Sequence, residues 1–275
     1  MIKCGITGSS GSIGSILIRN ISNFKFIKFY GDITNKKKVD NWVKENNFDL
    51  IIHLAAIVPV KLVNKNKNKA YNVNFLGTKN IIDALLKFNS SLKWFFFAST
   101  SHVYKSKIGK ISEDDVLKPV NLYGHTKLKA ENYIRMKLNK NKKIKYCIGR
   151  IFSTTHLKQK KNYFIPDVKK KIHNEKGFLR FKNLYHYRDF ISPYDISKII
   201  RLLWKKKYNG IINIGSGKAI LLKKIVLLLL KKNNKKNFSF YKNRNLTSLV
   251  ANISRLKKVT GWRSNYSISD MLFKI

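Results

Sequence analysis

Through the first half of the chain, short runs of consecutive apolar residues alternate with stretches in which apolar residues recur every three to four positions. The apolar runs at 2–6, 26–30, 50–54, 94–98 and 146–151 have the length and the β-branched or aromatic content of strands. The periodic stretches at about 12–20, 36–46, 70–88 and 123–138 predict helices. Continuous rather than alternating apolar runs belong to strands buried on both faces, so the pattern predicts an α/β fold, a parallel sheet between two layers of helices. Right-handed crossovers then make the sheet doubly wound, with functional loops at the carboxyl ends of its strands.

After Arg150 the alternation breaks down. Residues 152–181 are basic, aromatic and irregular, followed by a predicted helix at 194–207, a strand at 211–214, a helix at 221–230, a segment at 252–259 and a last turn at 268–273. These pieces are too small for a separate core and predict a small C-terminal lobe over the carboxyl edge of the sheet. No solenoid repeat and no Pro-rich or Gly/Ser-rich linker interrupts the chain.

The 275 residues, 44% hydrophobic and 12% aromatic, suffice for a substantial core and exclude a disordered chain. Cys4 and Cys147 both sit inside apolar runs and read as reduced core thiols, and the chain enters its first strand without the leader of a signal peptide. A cytoplasmic location is expected. The most apolar later stretch, 219–230, is interrupted by Lys223 and Lys224 and is too short to span a bilayer, so no membrane association is expected. Six histidines without metal-ligand spacing and two distant cysteines propose no metal site.

A formal net charge of +43 raises a nucleic-acid reading, because basic surfaces gain affinity by neutralising phosphates. The lysines are scattered through nearly every predicted loop and helix beside Asn and Ile, as in Asn64-Lys-Asn-Lys-Asn-Lys and Lys231-Lys-Asn-Asn-Lys-Lys. That distribution fits a compositional drift of the whole surface better than a dedicated nucleic-acid face.

Two local patterns carry chemistry. Thr7-Gly-Ser-Ser-Gly-Ser-Ile-Gly14 joins the first strand to the first helix, the context in which a glycine-rich turn receives a dinucleotide. Gly8 permits the tight turn, Gly11 lets backbone approach a pyrophosphate, Gly14 allows close helix packing, and amides near Ser12 and Ile13 meet phosphates. The fold is thus read as Rossmann-like, with NAD or NADP as cofactor. Tyr123 and Lys127, one turn apart on a helix, lie side by side, so the ammonium can lower the phenol's pKa for acid/base work.

Gly-x-x-Gly-x-x-Gly with Tyr-x-x-x-Lys resembles the extended short-chain dehydrogenase/reductase family of nucleotide-sugar epimerases, dehydratases and reductases. Further matches run in the family's order along nearly the whole chain: Gly31-Asp-Ile-Thr-Asn, Asp49-Leu-Ile-Ile-His-Leu-Ala-Ala56, Asn74-Phe-Leu-Gly-Thr78, Ser99-Thr-Ser-His-Val-Tyr104, Arg188-Asp-Phe190 and Asn213-Ile-Gly-Ser-Gly217. The resemblance implies that Asp32 and Ile33 contact the adenine, that Leu54, Ala55 and Ala56 line the cofactor, and that Asn74 supports the site. It implies a catalytic group of Tyr123, Lys127 and Thr100, with Lys127 also holding the nicotinamide ribose. Ser101, His102, Ser153 and Arg188 fall at substrate positions, Arg188 at the diphosphate unless it forms a surface ion pair with Asp189.

Three departures shape the expected reaction. Ser101 and His102 stand where relatives that eliminate water carry an Asp-Glu pair, which disfavours dehydration. His102 is either a second proton-transfer group or a packing residue before Val103 and Tyr104. Ser153 stands where many relatives have an Asn, and only residues 23–30 separate the first helix from Gly31, so that either two strands have merged or the sheet edge is truncated. No ribose-reading acid remains; Lys25 and Lys28 are the residues that would favour a 2'-phosphate.

The expected organisation is a dinucleotide-binding domain of residues 1–152 with return segments at about 185–215, and a substrate-binding lobe of 153–184 and 216–275. The expected protein is an NAD(P)-dependent nucleotide-sugar epimerase or 4-keto-sugar reductase, of the kind serving polysaccharide biosynthesis, with a possible homodimer through the helices beginning near Ala70 and Tyr123. The rival is a non-catalytic dinucleotide- or RNA-binding protein on the same scaffold.

Overall fold

The computed structural model describes residues 1–141, 143–159, 161–175, 177–241 and 246–275. In chain order its first part comprises β1 (Ile2–Thr7), α1 (Ser12–Asn20), β2 (Phe24–Lys28), α2 (Lys36–Glu45), β3 (Leu50–His53), α3 (Val60–Lys65), α4 (Lys67–Tyr71), α5 (Gly77–Phe88), β4 (Trp94–Thr100), α6 (Leu122–Leu138) and β5 (Lys145–Ile151). There follow β6 (Ser153–Thr154), α7 (Phe164–Asn174), β7 (Leu179–Phe181), β8 (His186–Arg188), β9 (Phe190–Ile191), α8 (Pro193–Lys205), β10 (Gly210–Ile214), β11 (Ile220–Leu221), α9 (Leu222–Lys232), β12 (Phe238–Phe240), β13 (Thr247–Leu249), α10 (Ser254–Thr260) and α11 (Ile268–Phe273).

Six strands form one parallel sheet in the order β10-β5-β4-β3-β1-β2, the doubly wound arrangement that the periodicities predict. Strands β3 and β4 are almost wholly buried, as expected of strands covered on both faces. One layer of core, including Leu17, Ile52, Phe96, Ile199 and Ile212, fills the face under α1 and α8, and another, including Val43, Ile51, Phe95, Ile82 and Ile134, fills the face under α2, α5 and α6. A third cluster, including Ile165, Phe181, Val226, Leu229 and Leu272, joins α7, α9 and α11.

The edge is truncated rather than merged: β2 pairs directly with β1 over Phe24–Lys28, two residues earlier than the apolar run suggests, and is the last strand on that side. The single helix predicted at 70–88 is divided. Asn66 caps α4 by accepting from Lys69 N, a π-helical turn spans Asn72–Leu76, and α5 begins only at Gly77. A π turn keeps apolar residues facing one way, so periodicity alone does not reveal it. Side-chain caps start three later helices: Asn121 for α6, Ser192 with Pro193 for α8, and a Ser267/Asp270 capping box for α11. No helix among the described residues is long and apolar enough to cross a membrane.

Candidate active site

One cavity of about 820 Å³ opens at the carboxyl ends of β1, β3, β4 and β5 and extends under β8 and α7. At its first end lies the glycine turn. Gly8 has φ +71°, and a Cβ there would sit 2.7 Å from Ala55 N; a Cβ on Gly14 would sit 2.4 Å from Gly8 O. The turn closes through Gly11 N donating to Gly8 O at 3.1 Å. Helix α1 has no side-chain cap at Gly11, so its first-turn amides at Ser12, Ile13 and Gly14 face the cavity as an anion cradle. These residues fit the pyrophosphate of a dinucleotide.

Gly31, Asp32 and Ile33 line the next part of the cavity, with Leu54, Ala55 and Ala56 opposite the turn. Asp32 Oδ1 accepts from Thr34 N at 2.9 Å, and this bond, helped by Lys69 and Lys38, holds the carboxyl below its usual range. Thr7 Oγ1 accepts from Ala55 N at 3.2 Å and meets His53 Nδ1 at 2.6 Å, tying the ends of β1 and β3 together. Asn74 is not in the lining. It is fully buried in the π turn, where its Oδ1 accepts from Ile57 N at 2.7 Å and its Nδ2 donates to Thr126 Oγ1 at 3.1 Å, so it acts by holding the loop after β3 against α6.

Thr100 ends β4, and Tyr123 and Lys127 come from the first two turns of α6. Thr100 and Tyr123 line the cavity; Lys127 lies behind them, 1% exposed, with Nζ 3.9 Å from the centre of the Phe97 ring. Burial lowers the Lys127 ammonium to about 7, opposed by Glu131 one turn further along α6. The phenol of Tyr123 is raised, first by burial and then by the neighbouring Tyr163, against a hydrogen bond with Thr100. At the phenol, burial thus outweighs the Thr100 hydrogen bond.

A buried polar network supports this group from below. Glu131 takes the hydroxyl of Ser99 and three bonds from Arg150, whose Nε reaches both carboxylate oxygens and whose Nη2 is 2.8 Å from Oε2. Arg150 Nη1 also donates to Tyr104 Oη at 2.9 Å and Glu113 O at 3.0 Å, and Tyr104 donates to Asn213 Oδ1 at 2.7 Å. Every one of these groups is satisfied, which a charged pair 1% exposed requires.

At the other end of the cavity stand Ser101, His102, Ser153 and Arg188. Arg188 does not pair with Asp189. Its guanidinium donates to Tyr187 O at 2.7 Å and to Thr247 Oγ1 at 3.0 Å, while Asp189 turns into the core and accepts from Ser216 N and Oγ, Gly217 N and Ala251 N. His102 meets Asn121 through its ring and lies edge-on to Tyr123, 5.8 Å between centroids. Lys69, Thr154, Gln159 and Tyr163 also line the cavity and escape a reading by motif. The signal nearest Tyr163 is Asn162, an asparagine with φ +72° that turns the chain into α7. Among the described residues no cluster of His, Cys, Asp or Glu is suited to a metal.

A family model described as GDP-mannose 4,6 dehydratase matches residues 12–275. The chain is 29% identical over 275 residues to GDP-6-deoxy-D-talose 4-dehydrogenase of Aggregatibacter actinomycetemcomitans, spanning 94% of this chain and 92% of that protein. It is 27% identical over 304 residues to dTDP-4-dehydro-6-deoxyglucose reductase of Escherichia coli, spanning 98% and 95%. Among solved structures, RMD from Pseudomonas aeruginosa complexed with NADPH superposes with a TM-score of 0.87 at 20% identity, covering 98% of this chain and 95% of that one. MoeE5 in complex with UDP-glucose and NAD gives 0.85 at 21% identity, with the same coverage. At such identities the two structures establish the shared Rossmann-type fold.

Proposed function

The chain belongs to the extended short-chain dehydrogenase/reductase family, in the group matched by the GDP-mannose 4,6-dehydratase model, and from that premise we propose that it is an NAD(P)-dependent 4-keto reductase of nucleotide sugars. The observation that carries the reading is the placing of Tyr123 beside Thr100 on the wall of a cavity whose other end is the glycine cradle. Reduction of a ketone consumes a proton at oxygen, and a phenol that holds its proton at neutral pH is a donor for that oxygen. The two relatives described above are named for a 4-dehydrogenase and a reductase acting on 6-deoxyhexose nucleotides.

In this reading residues 1–152, with the return through 185–215, hold NAD or NADP, and residues 153–184 and 216–275 hold the nucleotide sugar. The first-turn amides of α1 take the pyrophosphate, Asp32 and Ile33 the adenine, and Leu54, Ala55 and Ala56 the wall beside the nicotinamide half. When bound, nicotinamide supplies the two-electron exchange at carbon. Tyr123 gives its phenolic proton to the sugar oxygen. Thr100, whose Oγ1 accepts from His102 N at 3.3 Å and which hydrogen-bonds the Tyr123 phenol, stands beside the same oxygen. Lys127 lies one turn behind Tyr123, where its positive charge stabilises the phenolate left by proton transfer. Arg188 is placed for the diphosphate.

Dehydration, the reaction for which the family model is named, is disfavoured because Ser101 and His102 supply no carboxyl pair beside Thr100. The deciding experiment supplies GDP- and dTDP-linked 4-keto-6-deoxyhexoses with NADH or NADPH. Stoichiometric oxidation of the nicotinamide with formation of a 4-hydroxy sugar supports the reductase. Interconversion of 4-hydroxy epimers with tightly bound cofactor and no net consumption would make it an epimerase instead.

A further inference from the structure

His102 occupies a position in the cavity wall where chemistry depends on which ring nitrogen carries the proton, and its surroundings determine that. Asn121 caps α6 through Oδ1, which accepts from Gly124 N at 3.0 Å; a backbone amide can only donate, so the orientation of the Asn121 carboxamide is fixed. Its Nδ2 must then be the atom 2.6 Å from His102 Nδ1, and Nδ2 is a donor. Nδ1 therefore accepts, and the proton of the neutral ring lies on Nε2.

The backbone of His102 is held as firmly as the ring. Its N donates to Thr100 Oγ1 at 3.3 Å and its O accepts from Val120 N at 3.2 Å. Gly124 approaches that carbonyl so closely that a Cβ would lie 2.2 Å from it. Around the ring stand Tyr123 from α6 and the Arg188 guanidinium from β8; burial first, and Arg188 second, push the imidazole down to about 4. The cavity lining contains one carboxylate, Asp32, which follows β2 and is engaged by Thr34.

We propose that His102 is a fixed Nε2–H hydrogen-bond donor to a sugar oxygen of the substrate, locked in that tautomer by Asn121, and that it is not a proton-transfer group. The proposal rests on the reductase reading for its substrate and on the Asn121 cap for its geometry. A donor at this place favours a sugar carrying an acceptor oxygen beside the reacting carbon. It also gives a physical reason for the lack of a base next to Thr100: the ring's accepting nitrogen is already occupied.

Two measurements test it, the first independent of turnover. In protein labelled with 15N-histidine, with His102 assigned by comparison with His102→Gln, its signals are expected to report the neutral Nε2–H form from about pH 5.5 to 8. Asn121→Asp keeps a capping oxygen but replaces the donor by an acceptor, and is expected to place a proton on Nδ1. An Nδ1–H tautomer in the wild type, or titration of His102 near the ordinary 6.5, would overturn the proposal. In calorimetry or steady-state kinetics with the nucleotide sugar, His102→Leu is expected to weaken binding or raise KM about tenfold, the worth of one hydrogen bond, with kcat little changed. His102→Gln, which can present an N–H, is expected to recover most of that loss. Equal loss of kcat in the Gln and Leu variants would show proton transfer and sink the proposal. If the wild type reduces no keto sugar, the reductase reading fails while the nuclear magnetic resonance result still decides the tautomer lock.

Discussion

At the residue scale, the site turns on three side chains in successive turns of α6: Tyr123 at the cavity, Lys127 beneath it and Glu131 beneath that. Removing the phenolic proton by Tyr123→Phe is expected to cut turnover by about 10²–10⁴-fold while leaving nicotinamide binding intact, read by cofactor fluorescence beside the kinetic assay. Lys127 predicts a stability effect. Its ammonium is lowered to about 7 in the fold and returns to its ordinary 10.5 on unfolding, so between those values the unfolded chain binds the extra proton and stability rises with pH. The difference in unfolding free energy between wild type and Lys127→Met should climb from about pH 7 to 10 and be flat below about pH 6; a slope-free difference would show that the ammonium is solvated. Glu131→Gln leaves Arg150 buried with an incomplete partner and is expected to cost about 3–5 kcal/mol in chemical denaturation.

At the element scale, the turn between β1 and α1 was legible because every residue in it answers a local demand. Gly14→Ala makes this concrete: the new methyl would meet Gly8 O, an atom of backbone that cannot swing aside, so the turn must open. The variant is expected to lose nicotinamide binding in a titration and about 1–3 kcal/mol of stability. Strand β4 and helix α1 were legible from their apolar pattern, and α6 from the Asn121 cap at its start, each agreeing with the fold around it. What sequence did not reveal depends on contacts between distant segments. That Asn74 supports the site from inside a π turn, by holding the loop after β3 against α6, shows only in the fold, and Tyr163 lies in an aperiodic stretch whose approach to Tyr123 is a matter of tertiary folding.

At the scale of the whole molecule, the charge of +43 sets the terms. Exposed lysines repel one another over a screening length of about 10 Å at 0.1 M salt, so raising salt should raise the melting temperature, by about 2–4 °C for each kcal/mol of repulsion relieved. The same surface attracts any polyanion, and RNA binding that is abolished by salt and indifferent to Tyr123→Phe would be a property of that charge, separate from the cavity. Were such binding found with no turnover on any sugar nucleotide, the reductase reading would fall. The truncated sheet gives part of this charge a use. Strand β2 stands as an open edge, with the apolar pair Phe26 and Ile27 only half covered, and Lys25 and Lys28 are its two exposed residues. Unpaired edges recruit other edges, and lysines are among the side chains that prevent it. This edge is a surface on which two molecules could zip together, and those two lysines guard it: Lys25→Thr with Lys28→Thr should leave the monomer folded yet bring on light scattering and fibrillar growth at concentrations where the wild type stays clear.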